Sequence, residues 1–587
     1  MRHRLLACIA IVAAAVSTAR AQQVQPEIFT LDNGMKFLLY PRTEQPNIIA
    51  AGWVAKVGSA NERPGITGIS HFFEHMMFKG TNTIGTSDAA RDAQFRSEQD
   101  RLRRELLTLQ LTEQYKRYKD GEIQDPWDPA QDTEQMRAIR TQLDQSIQAE
   151  RDVTVKNEFD RVYTSEGASG MNAFTNNDMT FYFINVPSNK LELWAWMESD
   201  RLYDSVFREF YAERDVVHEE RRMRTESTPT GIFQEQFESM FWMSHPYNWP
   251  VIGWPSDLNS YTMEDAQNYF DTYYRPNNIV GVIVGDFDPA QAKSLINTYF
   301  GRLERGPEPP KVVTLEHKQQ AEMRMNAECD CQPQVEVRYH TVPFGHADEA
   351  ALTVMSELLN GRTGRLYKNL VEGKEIASSA FAQNNNMKYA GYFAFSAETK
   401  GDAAPIDLER AWYEELKKLQ TELVSDRELQ KVKNQSAADV YRSLQNNFFI
   451  MLQLGYYEAQ GGWEYINNMP RAIQAVTADD VQRVANAYFS ETNRAVATFN
   501  RKAGSTEDPD FAAMKAALPA EMAAMAPMIK QQIESQLASA TLDELMQAQA
   551  ETQAQMAQMP AEMKPVMEFA LKKIAKRIAE LKAAENN

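Results

Sequence analysis

Residues 71 to 75 read His71-Phe72-Phe73-Glu74-His75, and no other stretch limits the possible folds of this chain so tightly. On a helix, His71 and His75 lie one turn apart on one face, so both imidazoles can reach a single metal ion. Glu74 follows His71 by three residues, near enough to take a proton from a water held there. Two of only eight histidines fall at ligand spacing around a glutamate. The flanking residues ask for a helix. Pro64, Gly65 and Gly68 break the preceding strand, and Thr67 or Ser70 is placed to cap the start. Ile69, Phe72, Phe73, Met76 and Met77 recur at helical spacing, and Gly80 supplies a stop. Two histidines and water leave a metal under-liganded, so a third protein ligand is required.

The place to look for it is a charged segment far downstream, Glu213-Arg214-Asp215-Val216-Val217-His218-Glu219-Glu220-Arg221-Arg222. On a helix, Glu213 and Glu220 share nearly one face, while Glu219 and His218 point about 100° and about 200° away from Glu220. Spacing alone equally describes an exposed, salt-bridged helix.

The chain resembles the pitrilysin/insulinase (inverzincin) zinc metallopeptidases, whose motif is His-x-x-Glu-His. The resemblance is carried by Gly68-Ile69-Ser70-His71 through Phe78-Lys79-Gly80-Thr81, by Asn172-Ala173-Phe174-Thr175 and by Glu213 to Arg222. It continues through His245-Pro246-Tyr247, through Tyr274-Arg275-Pro276-Asn277-Asn278 running into a Val-rich strand and Gly285-Asp286, and through Gly364-Arg365-Leu366-Tyr367. These segments follow the family's order over residues 25 to 500. The resemblance implies a zinc metalloendopeptidase acting on peptides or unfolded protein segments. One zinc ion per chain is then bound by His71, His75 and Glu220, with Glu74 as general base. Glu213 matches a second family glutamate that supports the site without binding the metal.

The implied fold is α+β: two similar domains, each a mixed or antiparallel sheet packed with helices, forming one half of a clamshell. Long family members carry both halves in one polypeptide. Residues after 500 leave no room for another half, so the resemblance implies a homodimer, or a heterodimer with a related subunit. The alternative is a non-catalytic or partner-dependent scaffold subunit of a heteromeric peptidase complex. The intact His71, Glu74, His75 and Glu220 set argues against it.

Gly170 to Thr175 precedes an alternating strand, Met179 to Val186. A strand edge beside a metal can add an extended peptide through main-chain hydrogen bonds, largely without regard to side chains. The matching family segment does this, which makes Asn172, Ala173 and Phe174 candidate substrate contacts. The alternative is that Asn172 only makes a turn and Phe174 fills a core.

An internal repeat points independently to duplication. Thr262, Asp265, Gln267, Tyr273 and Asn278 recur as Thr477, Asp480, Gln482, Tyr488 and Asn493, each at an offset of 477 − 262 = 215 residues. The expected organisation is a signal peptide over 1–21, a first domain over 25–303, a linker over 304–312 around Gly306-Pro307-Glu308-Pro309-Pro310, a second domain over 313–502 and a helical tail over 503–587. Within the first domain, Asn33-Gly34 marks a hairpin between Phe29 and Tyr40. Leu191 to Phe207 and Ala212 to Thr225 read as helices.

Two parts depart from the compact family pattern. The interval from His75 to Glu220, 220 − 75 = 145 residues, implies an insertion over about 87–160. Its charged, Ala/Leu/Gln-rich composition, broken at Asp125-Pro126-Trp127-Asp128-Pro129, fits a helical hairpin or short coiled coil. It is a projecting decoration, a partner-docking arm or a chamber wall. The tail carries nine methionines with no histidine or cysteine, which favours an adaptable apolar helix face over copper binding.

The 587 residues are 43% apolar, enough for extensive cores, and the formal charge of −19 argues against nucleic acid or anionic lipid as the main partner. Arg2, Arg4, an apolar run from Leu5 to Val16 and Ala19-Arg20-Ala21 read as a cleavable secretory signal, so a periplasmic or secreted location is expected. That run is too short to span a bilayer, and no other stretch can. Leu5-Leu6-Ala7-Cys8 comes too early for a lipoprotein site. Cleavage leaves Cys329 and Cys331, for which a local disulfide, free thiols and a cross-link to a partner all stay open.

Overall fold

The computed structural model describes residues 23–502, 508–523, 525–556, 559–560 and 563–585. The expected signal segment lies outside the described residues. The chain forms an α+β structure on two mixed sheets. The first contains β1 (Glu27–Thr30), β2 (Lys36–Pro41), β3 (Ile48–Ala55), β4 (Ser169–Thr175), β5 (Thr180–Pro187) and β6 (Ile279–Gly285) in the order β1-β2-β6-β3-β5-β4. Only β2 and β6 pair parallel. β4 closes the series and, among the described residues, pairs with β5 alone, so no described strand lies on its other main-chain edge. The second sheet has β7 (Met323–Cys329), β8 (Gln334–Thr341), β9 (Ala377–Asn386), β10 (Gly391–Thr399) and β11 (Arg494–Arg501) in the order β7-β11-β8-β10-β9, with β7 and β11 parallel.

The repeated residues have repeated jobs. Thr262 and Asp265 form a capping box at the start of helix Met263–Tyr273, and Thr477 and Asp480 form the same box on helix Ala478–Tyr488. Asn278 Nδ2 donates to the Tyr273 carbonyl at 2.9 Å, and Asn493 Nδ2 to the Tyr488 carbonyl at 2.7 Å. Each amide thereby fixes the turn that feeds the next strand, β6 or β11. Residues 304–320 run without helix or strand between the two sheets.

β6 is buried along its whole length. Its Ile279 and Ile283 join Phe37, Trp53 and Phe73 in the main core, while Val280, Val282 and Val284 face helix Asn447–Gln460 through Ile450, Met451 and Leu454. Gly455 permits that approach, because a Cβ there would meet the Phe181 ring at 2.4 Å. The second half of the chain thus supplies the helix that covers the first sheet.

The inserted segment folds as a helical hairpin, Ala89–Leu109 and Glu134–Glu150. It does not project freely. Leu102, Leu106, Met136, Ile139 and Leu143 enter the main core. Fully buried Arg208 holds Asp92 at 2.7 Å, and the Tyr211 hydroxyl donates to Asp100 at 2.9 Å, which ties the hairpin to the segment carrying Glu213. Two helices end short of their sequence ranges. One spans Leu191–Tyr203, because Ser205 leaves the helix to bridge Thr81. The other spans Phe210–Arg221 and loosens into a wider turn over Arg222–Glu226.

In the tail, Met514, Leu518, Val566 and Phe569 make one small core and Leu545, Ile574 and Ile578 another, while Met525 and Met528 are exposed. Lys515 reaches Glu398 on β10 at 2.5 Å. A disulfide joins Cys329 to Cys331. Among the described residues no helix is long and apolar enough to cross a membrane.

Gly68 takes φ +87°, and a Cβ there would lie 2.4 Å from the Ile252 carbonyl oxygen. Gly68→Ala is therefore expected to destabilise the protein by about 2–4 kcal/mol in calorimetric unfolding. Gly345→Ala, at φ +77° with nothing within 4 Å, is the control and is expected to lose only about 1 kcal/mol.

Candidate active site

The pentad lies on helix Ile69–Met76. Neither Thr67 nor Ser70 caps it, contrary to the sequence expectation. Gly68 occupies the cap position, and the Glu62 carboxylate accepts from the Gly68 and Ser70 amides, each at 2.7 Å. The Thr67 hydroxyl instead donates to Asp257, and the Ser70 hydroxyl accepts from Tyr269. Burial pushes the Glu62 carboxyl up to about 8 against the pull of its hydrogen bonds with Ser70 and Gly68. One helix face is sealed into the core. Phe73 packs among Phe207, Tyr269 and Tyr274, with centroids 5.0 to 5.5 Å away, and Phe72 meets Phe210 edge-on at 4.8 Å. With that face fixed, His71 and His75 are left facing helix Phe210–Arg221, and Glu74 meets the Thr175 hydroxyl on β4.

Phe210 and Val217 anchor that second helix, so Glu213 and Glu220 are turned toward the histidines. Glu220 Oε2 lies 3.7 Å from His71 Nε2 and 3.4 Å from His75 Nε2. One donor atom from each of the three residues lies within 4.8 Å of the others. Zinc bonds of about 2.0–2.1 Å at tetrahedral angles place donor atoms about 3.3–3.5 Å apart, so this set fits the ion. His75 Nδ1 meets Glu213 Oε1 at 2.8 Å, and Lys79 Nζ lies 2.5 Å from Glu213 Oε2 and 3.2 Å from Glu209 Oε2. An ionised carboxylate only accepts, so Nδ1 donates to Glu213, which leaves Nε2, on the Glu220 side, as the nitrogen that would hold a metal once it gives up its proton.

The electrostatics follow from these contacts. Burial lowers His75, but its hydrogen bonds to Glu213 and Glu220 outweigh that and hold it near 9 in the metal-free chain. Burial raises Glu213, and His75 with Lys79 overrides it to bring Glu213 down to about 2. His71 is pushed down to about 4, chiefly by burial, with Glu220 opposing. Glu220 is itself lowered, its hydrogen bond to His75 and the charges of His71 and Arg224 overcoming burial. Burial raises Glu74, with the Thr175 hydroxyl and His75 pulling the other way. A carboxylate whose pKa is raised is the stronger base toward a water proton.

Of the three candidate substrate contacts, exposed Asn172 borders a cavity of about 480 Å³ together with Glu74, His75 and Glu213. Ala173 is buried, and the Phe174 ring packs against Phe181 and Phe183, so these two offer the cavity no free side chain. Sequence reasoning missed Lys79, Thr175 and Arg224, the last paired with Glu220. Lys79 and Thr175 sit inside the recognised segments, but nothing in their spacing reveals a role.

The family described as Insulinase (Peptidase family M16) matches residues 38–92, which include the pentad, and the Peptidase M16 inactive domain matches residues 260–436. Both matched segments, with the relatives that follow, support this chain's membership of the pitrilysin/insulinase M16 family. Among relatives, it is similar to zinc protease PqqE of Helicobacter pylori, 27% identical over 81% of this chain and 93% of that one. It is also similar to the uncharacterized zinc protease YmxG of Bacillus subtilis, 22% identical over 79% of this chain and 95% of that one. Its fold is similar to a crystal structure of a protease from Helicobacter pylori, with TM-score 0.66, 24% identity, and 82% of this chain and 100% of that chain covered. The periplasmic protease PqqL from Escherichia coli gives TM-score 0.61 at 17% identity, covering 84% of this chain and 50% of that one.

Glu213→Gln removes the charge that holds His75. In the metal-free protein the His75 pKa is expected to fall from about 9, read by NMR titration. Zinc affinity, read by chelator competition, is expected to drop about 10–100-fold.

Proposed function

We propose that this chain is a zinc-dependent endopeptidase that hydrolyses peptides or unfolded protein segments outside the cytoplasm. The observation that carries the proposal is the convergence of His71 Nε2, His75 Nε2 and Glu220 Oε2 beside Glu74. Zinc, when bound there, supplies Lewis acidity toward the scissile carbonyl and toward water. Glu74 takes the proton of the attacking water and returns it to the leaving amine. Glu213, itself held by Lys79, fixes the His75 ring through Nδ1, and the free edge of β4 receives the peptide main chain. A second copy, or a related subunit, completes the enclosure around the substrate.

The second reading is a non-catalytic or partner-dependent subunit, favoured by the match of residues 260–436 to a domain described as inactive. That stretch lies wholly after Glu220 and contains none of His71, Glu74, His75 and Glu220.

With zinc supplied, the parent is expected to cleave a long unstructured peptide. Glu74→Gln is expected to lose about 10²–10⁴-fold in turnover while keeping its zinc. His71→Ala is expected to lose both activity and zinc, read by metal analysis. Turnover retained in Glu74→Gln sinks the mechanism. A zinc-loaded parent that cleaves nothing favours the second reading.

A further inference from the structure

A second cavity, of about 410 Å³, opens on the Glu220 side of the site, a size in the range of small-ligand pockets. It borders neither Glu74 nor either histidine. Its link to the site is Arg224, which pairs with Glu220 Oε1 and also lines the cavity. Its walls come from both halves of the chain: Trp242, Tyr247, Trp249 and Val251 from the first, Met387 and Tyr392 from the second.

Three features bear on what fits there. First, its charged wall residues are all paired. Glu235 binds Arg221 at 2.6 Å, Glu238 binds Arg338 at 2.5 Å, and Arg224 binds Glu220. A charged guest would lose hydration and find no opposite charge free to compensate it. Second, the aromatic walls are held rigidly. Tyr247 OH donates to Asp178 at 2.7 Å, Trp249 Nε1 to the Ser59 carbonyl at 2.8 Å, and Asn385 Nδ2 to the Tyr392 hydroxyl at 2.9 Å. The pocket is therefore formed before any guest arrives, which lowers the ordering penalty on binding. Third, the cavity is aligned with the β4 edge. Asn172 on β4 borders the cavity at Glu74, and Asn177, just past the end of β4, borders this one. A peptide paired along β4 passes Glu74 and continues to the aromatic cavity.

We propose that the cavity lined by Trp249, Val251, Met387 and Tyr392 is a specificity subsite that takes one large neutral side chain, aromatic or aliphatic, of a peptide extended along β4. This rests on the reading of the chain as a peptidase and names its substrate class: segments rich in bulky apolar residues, which folded proteins bury and unfolded ones expose. Trp249, Val251, Met387 and Tyr392 are specificity-determining and take no part in proton transfer.

The test reads binding, so that it stands apart from turnover. Zinc-loaded Glu74→Gln protein is titrated by fluorescence anisotropy with fluorescein-labelled Gly/Ser peptides carrying one central Phe, Ala or Asp. The Phe peptide is expected to bind about tenfold more tightly than the Ala peptide, and the Asp peptide no better than Ala. Val251→Trp and Met387→Trp, placed in the same Glu74→Gln background, fill the cavity from opposite halves. Each is expected to abolish the Phe advantage, with retained zinc showing that the fold survives. Equal binding of the three peptides, a preference for Asp, or a Phe advantage that persists in both filled variants overturns the subsite. Turnover of the Ala peptide by the unmodified chain, read separately, shows whether the peptidase reading stands when the subsite does not.

Discussion

The packing of Phe72 and Phe73 against Phe207, Phe210, Tyr269 and Tyr274 determines where every reactive group falls. A buried Phe contributes about 1.5–3 kcal/mol, more than most single polar contacts. Two such rings on an eight-residue helix leave it one available rotation. The opposite face, with His71 and His75, is thereby pressed toward helix Phe210–Arg221, whose own Phe210 belongs to the same cluster. Coulomb attraction then acts over distances that apolar packing has already set. His75, Glu213 and Lys79 form a chain of alternating charge in which each member holds the next in its ionised state.

How much of this was legible in the sequence depends on the range of the forces involved. The pentad, its helix and the Asn33-Gly34 hairpin are local, and composition with spacing is enough to see them. The repeat was visible because Thr262 with Asp265, and Thr477 with Asp480, must be those residue types to close a capping box, and Asn278 and Asn493 must carry an amide to reach back to a carbonyl. Glu220 was not legible from spacing, since the insertion removed the ruler, and resemblance alone singled it out. The helix cap failed because Glu62, six residues before Gly68, competes with Thr67 and Ser70 through a bend that sequence periodicity does not encode. The aromatic cavity was beyond reach, because its walls are assembled from segments more than a hundred residues apart.

The insertion illustrates how composition can mislead. Its charge and helical period describe a solvated hairpin, yet its apolar residues enter the main core and Asp92 receives a fully buried arginine. A buried pair of this kind contributes little net stability but is costly to break, so it pins geometry more than it adds to the folding free energy. Here it pins Arg208, immediately before the segment that turns Glu213 toward His75. The hairpin thereby acts as a brace for the site.

Helix Asn447–Gln460 carries a consequence for the chain as a whole. Its Ile450, Met451 and Leu454 lie on Val280, Val282 and Val284, although they sit on the far side of the stretch 304–320. That stretch therefore tethers two bodies that already share an interior. A protease nick within it would leave the two fragments bound to each other. Either fragment made alone would present a wide apolar surface to water, so neither is an independent folding unit.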